Sequence, residues 1–225
     1  MLIRYKIYAI TFTVLLSFFL SSYDAFTSPK NGIFGSTEYM STELSAFKKW
    51  NNLRDRHQNN PLKPTHRTKL NLRTKCQMSS NFKCLRDEWS ELISILKEEG
   101  PLKKMDAINR HFNQFDYITD MANWQKKDYW ATLSQFFNRD GDCEDYAIAK
   151  YYSLIELGFK PEQMRIVIVE DTNLNIAHAI LAVYLNDEIW VLDNQISKIT
   201  TESSIIHYDP LYSINESAWW LHKKL

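Results

Sequence analysis

In the stretch GDCEDYAIAK, residues 141–150, Cys143 stands among Asp142, Glu144 and Asp145, with Asp140 just before them. A thiol attacks as the thiolate, and neighbouring negative charge works against that ionisation. Two features can oppose the acids. A helix N-terminus offers free N–H groups and a partial positive charge, which favour a thiolate and can hold a developing oxyanion. A bound divalent cation cancels the local negative field. A cysteine packed as a small apolar side chain fits poorly with so many acidic neighbours. Zinc fits poorly as well, because no second Cys or His lies at ligand spacing from any of the three cysteines.

A cysteine nucleophile needs a base, and the base needs a carboxylate that fixes its tautomer and orientation. His178 in IAHAILAVYL and Asp193 in EIWVLDN have the required types. Both segments read as strands, joined through Asn186 and Asp187 as a two-residue hairpin. In that register His178 faces Gln195 and Ile180 faces Asp193. His178 and Asp193 then lie diagonally on one face, within reach of an imidazole. A bulge would break this parity, and a histidine in an apolar strand is also a common satisfied core residue. The remaining histidines, His57, His66, His111, His207 and His222, have no comparable predicted partner.

The elements that must position these groups follow from the surrounding pattern. Gly141 permits a tight turn, Asp142 or a neighbour can cap the next helix, and that helix runs to a stop at Gly158 with Pro161 beyond. Ala147, Ile148, Tyr151, Leu154 and Ile155 recur at helical spacing, so the helix is expected in the core with Cys143 in its first turn. Upstream, LRDEWSELISILKEEG places Leu85, Trp89, Leu92, Ile93 and Leu96 on one helical face and stops at Gly100. A second helix is expected from Leu102 to Asn113, with Leu102, Met105, Ile108 and Phe112 as its buried stripe. MRIVIVED, like the two hairpin segments, has the β-branched content of a strand. Helices followed by an antiparallel sheet predict an α+β fold.

The 225 residues carry 27 basic and 27 acidic side chains and 14% aromatics, which suits one globular domain and gives no general attraction to nucleic acid. Arg4 and Lys6 followed by the apolar run Ile7 to Leu20 read as an export signal, residues 1–25, with Ala25 as a weakly marked cleavage point. An uncleaved anchor stays open, since Tyr23 is not the small residue expected there; the membrane would then be met only through this segment. Residues 26–225 form the expected domain, with loops and short helices from Phe26 to about Leu85. Export permits disulfides. Cys76 and Cys84 are close enough to bridge, leaving Cys143 as the odd thiol. The locally basic run from Arg54 to Lys75 reads as a solvated loop, the other reading being a docking strip for an acidic partner. Trp219 and Trp220 are expected in the core, with exposed substrate contacts as the alternative.

GDCEDYAIAKYYSLIELGF, the preceding DYWATLSQFF, the later MRIVIVED with AHAILAVY and VLDN, and IFGSTEYMSTELSAFKKW near the mature N-terminus resemble the LapG-type bacterial transglutaminase-like cysteine peptidases. The resemblance covers nearly all of the expected exported chain. It implies a papain/transglutaminase-like fold, with Cys143 as nucleophile, His178 as general base and acid, and Asp193 as the orienting carboxylate. It implies Ca²⁺ beside the nucleophile, held by Asp142 and Glu144. Oxygen ligands suit such a hard cation, although the local pattern is no EF-hand: counted from Asn138, Cys143 takes the glycine position and Ala149 that of the closing glutamate. The resemblance further implies a periplasmic endopeptidase that cuts the N-terminal region of a large surface adhesin, disperses biofilm, and is controlled by a LapD-like inner-membrane receptor for cyclic di-GMP. A transglutaminase or amidase with the same triad, and a catalytically silent binding module, are the alternatives.

Overall fold

The computed structural model describes residues 32–64 and 82–224. The expected signal segment, His66, Cys76 and much of the basic run therefore lie outside the described residues. Six α-helices are described: α1 (Lys48–Asn59), α2 (Phe82–Leu96), α3 (Pro101–Phe112), α4 (Asp120–Trp124), α5 (Leu133–Arg139) and α6 (Cys143–Glu156). The strands are β1 (Thr37–Ser41), β2 (Met164–Asp171), β3 (Ile176–Leu185), β4 (Glu188–Leu192), β5 (Thr200–Thr201), β6 (Tyr208–Ile214) and β7 (Trp219–Lys223). They form one sheet in the order β1-β7-β6-β2-β3-β4-β5, with antiparallel neighbours throughout.

The helix patterns translate into burial. Leu85, Trp89, Ile93 and Leu96 of α2 are buried in the same core as Met105, Ile108 and Phe112 of α3. Leu102, expected in that stripe, is exposed in the first turn of α3. Every residue of α6 from Asp145 to Leu154 is buried, so this helix lacks the polar face of a surface helix. It packs Ile148, Tyr151 and Leu154 into a cluster with Ile166, Leu181, Val183 and Ile214 of the sheet. The opposite face of β2–β4 buries Val167, Val169, Ile180, Ala182 and Val191 with Ile33, Ile205 and Tyr208. Burial on both faces explains why these strands read as nearly continuous apolar runs.

The described N-terminal residues, 32–64, are more ordered than their polarity suggests. Trp50 and Leu53 of α1 reach the main core, and Trp50 Nε1 donates to Asn215 O at 3.0 Å. The start of the basic run belongs to this helix and is not a solvated loop. Arg56 there donates to Trp130 O at 2.6 Å and lies over the Tyr129 ring. Cys84 is disulfide-bonded and Cys143 is a free thiol; a pairing to Cys76 falls outside the described residues. Trp219 packs on Phe47 at the margin of the main core and Trp220 lies under the Arg165 guanidinium at 3.6 Å, but both are half-buried, not core residues. No described helix is long and apolar enough to cross a membrane.

Candidate active site

Cys143 is the first residue of α6, and Asp142 is its N-cap residue in extended conformation. The preceding turn departs from expectation in which residue carries the strain. Asp140 holds the positive φ of 58°, while Gly141 is required because a Cβ there would overlap the Asp145 side chain. Gly141 O also accepts from Ile118 N at 2.9 Å. The turn is thereby tied to the segment ahead of α4.

The hairpin register is the one read from the sequence. Leu181 pairs with Leu192 and Leu185 with Glu188, and both turn residues, Asn186 and Asp187, have positive φ, as a type I′ turn demands. Asp193 follows the last residue of β4. His178 Nε2 and Asp193 Oδ1 are 2.9 Å apart, both side chains being almost fully buried. The same carboxylate accepts from Gln195 N at 2.9 Å and from Tyr208 Oη at 2.7 Å. Burial works to raise its pKa, but the hydrogen bonds outweigh it and hold Asp193 below the ordinary value.

The carboxylate takes Nε2–H, so Nδ1 is the lone-pair nitrogen of His178, with Gln195 Nε2 3.5 Å from it. Ala179, the next residue along β3, presents its N–H close enough to Cys143 to favour the thiolate, against the stronger effects that raise the thiol pKa. The structure thus brings a free cysteine at the start of α6 close to β3, which carries His178, and to Tyr208, which bonds Asp193.

The acids around the thiol carry the unresolved electrostatics. Burial first, then the Glu144 charge and the 3.3 Å hydrogen bond from Sγ to Glu144, push the Cys143 pKa upward. Glu144 is itself raised to about 9 by burial and by the charges of Asp142 and Asp145. Burial raises Asp142 and takes Asp120 to about 6. Uncompensated, this arrangement keeps the thiol protonated.

A cation fits here. Carboxylate oxygens of Asp120, Asp142 and Glu144 lie within 4.8 Å of one another. Asp120 Oδ1, Asp142 Oδ1 and Asp145 Oδ2 are buried without a hydrogen-bond partner, which is costly for a carboxylate unless a proton or a metal satisfies it. The second oxygens are engaged: Asp142 accepts from Asp120 N at 3.1 Å, Asp145 from Ala131 N at 2.6 Å, and Asp120 from Tyr129 N. Asp142 makes no side-chain capping bond to its own helix. Asp142 and Glu144 were expected in such a set, whereas Asp120 was not, since it lies on a separate short helix with no local signature. Tyr208 was also missed, because Pro210 obscures the strand that carries it.

The family model of the bacterial transglutaminase-like cysteine proteinases matches residues 72–222. Among solved structures, Legionella pneumophila LapG is 35% identical, with a TM-score of 0.57 over 62% of this chain and 79% of that one. Its EGTA-treated form matches at 35% identity and TM-score 0.58 over 64% and 78% of the two chains. The calcium-bound form matches at 29% identity and TM-score 0.57 over 76% and 86%. No curated protein sequence matches.

Proposed function

The chain belongs to the bacterial transglutaminase-like cysteine proteinases and is a cysteine protease, and on that premise we propose a calcium-dependent periplasmic endopeptidase with Cys143, His178 and Asp193 as its catalytic triad. Its proposed substrate is the N-terminal region of a large surface adhesin, cut near a small-residue site such as paired alanines. Release of the adhesin would disperse biofilm, under the control of a LapD-like cyclic di-GMP receptor. The observation that carries the catalytic reading is the His178–Asp193 bond at 2.9 Å beside a free cysteine at a helix start.

The steps follow from the atoms. His178 Nδ1 takes the thiol proton, while Asp193 holds Nε2–H and stabilises the imidazolium. The thiolate attacks the scissile carbonyl carbon, and free backbone N–H groups of the first turn of α6 receive the oxyanion. His178 returns its proton to the leaving amine. Water, deprotonated by the same Nδ1, then hydrolyses the thioester and regenerates the thiol.

Asp120, Asp142 and Glu144 are the residues proposed to hold Ca²⁺. The bound ion would supply positive charge that offsets the acids and makes the thiolate accessible. The calcium-bound form of Legionella LapG supports this reading. The test is cleavage of a purified adhesin N-terminal fragment with calcium, then with EGTA, then with calcium restored, in the presence of a labelled primary amine. The proposal expects cleavage that follows calcium and leaves the amine unincorporated. Cleavage indifferent to EGTA would remove the metal role, and incorporation of the amine would make the enzyme an acyltransferase.

A further inference from the structure

Lys150 is the most unusual buried group outside the triad. It lies two helical turns beyond Cys143 on the same side of α6, and its side chain has no solvent exposure. An ammonium in such a place is costly unless its hydrogen bonds are met. Among the described residues it forms none of the ion pairs. Its Nζ donates instead to Asn109 Oδ1 of α3 at 2.8 Å, with the Tyr146 ring at 5.8 Å.

That bond decides which way the Asn109 amide points. As an ammonium, Lys150 can only donate, so Oδ1 faces Nζ and Nδ2 is turned to the other side, where carbonyl acceptors hold it in the same sense. There it donates to Ile196 O at 2.9 Å. One turn later, at the C-cap of α3, Asn113 Nδ2 donates to Asp193 O at 2.7 Å and to Ile196 O at 3.0 Å. The two asparagines thus grip the 193–197 connection, whose first residue carries the carboxylate bound to His178 and whose third, Gln195, lies beside Nδ1.

We propose that Lys150 is a positioning residue for the triad: by orienting Asn109, it fixes the main chain that presents Asp193 to His178. The charge of Asp193 also favours the ammonium form of Lys150, partly offsetting the burial, and the net result is a pKa lowered to about 7. The inference rests on the catalytic reading of Cys143, His178 and Asp193, so its main readout needs no substrate.

Two variants separate positioning from simple packing. Lys150→Met removes the donor at similar length. Asn109→Asp keeps a partner for Lys150 but has no N–H for Ile196 O. The readout is the low-field proton resonance of His178 Nε2–H in its bond to Asp193, identified by its loss in Asp193→Ala, together with kcat and KM on the adhesin fragment. Both variants are expected to shift or broaden the resonance and to lower kcat about 10- to 100-fold with KM little changed, the scale of a small misplacement of a catalytic group. If Lys150→Met fails to fold, Asn109→Asp decides alone. A resonance at its wild-type position in the folded variants would overturn the proposal, whatever their melting temperatures. A shifted resonance in a protein that cleaves no fragment would retain the positioning role and count against the proposed substrate.

Discussion

His178 Nε2 donates to Asp193 Oδ1 across 2.9 Å, although the two residues are not paired in the ladder and Asp193 lies just past the end of β4. The carboxylate is held there by three donors of different origin: a ring nitrogen, the Gln195 amide and the Tyr208 hydroxyl. Such a constellation orients an imidazole before any substrate arrives, which is where the triad geometry gains most of its effect.

Tyr208 gives the finest test of that orientation. Tyr208→Phe deletes one donor to a buried carboxylate and leaves the ring against Phe34 and His178. A hydrogen bond to a charged group contributes about 1.5–3 kcal/mol, so kcat should fall by roughly ten- to a hundredfold. Steady-state cleavage kinetics would check this, and an unchanged kcat would separate Tyr208 from the triad.

Calcium should bind through the orphaned carboxylates and stabilise the fold by linkage. Asp142→Asn and Asp120→Asn each remove a charged group proposed as a ligand. Calorimetric titration should show both affinities weakened by at least about tenfold, since a lost charged contact costs 1.4 kcal/mol or more. Wild-type affinity in Asp120→Asn would exclude that residue from the site.

Gly141 should resist even alanine. The added Cβ would overlap Asp145, in a turn already holding Asp140 at positive φ. Thermal or urea unfolding of Gly141→Ala should show a loss of about 1–3 kcal/mol, the usual scale of overpacking. A neutral result would mean that the turn relaxes freely.

His111 should contribute to acid sensitivity. Burial beside Phe112 and Phe115 lowers its pKa from 6.5 to about 4. The unfolded chain therefore takes up a proton between pH 6.5 and 4 that the folded chain refuses. Its contribution to stability is complete above pH 6.5 and is lost as pH falls toward 4. His57 and His222 are lowered to about 4 as well, so His111→Leu should reduce, and not abolish, the fall of Tm across that window. An unchanged slope would contradict the assignment.

The sequence carried the hairpin well. Asn186 and Asp187 fixed the register, and the register placed His178 diagonally from Asp193. The strands bounded by Met164 and Asp171, and by Ile176 and Leu185, were equally legible because β-branched runs end there at turn residues. Other parts were hidden for physical reasons. Pro210 argues against a central strand, yet β6 lies between β7 and β2; the proline is accommodated where the β2–β6 register shifts between Ile168 and Val169. Edge strand β1 exposes Tyr39 and Met40 and has no apolar face to advertise it. Asp120, Asn109, Asn113 and Lys150 meet their partners only through tertiary packing, which no local spacing encodes.

The most direct measurement compares wild-type protein and Cys143→Ala on the same adhesin N-terminal fragment in saturating calcium, with products identified by intact mass. The wild type should yield two fragments whose masses sum to the substrate plus one water, and the variant should yield none. Cleavage by Cys143→Ala at the wild-type rate would contradict the central claim that Cys143 is the nucleophile.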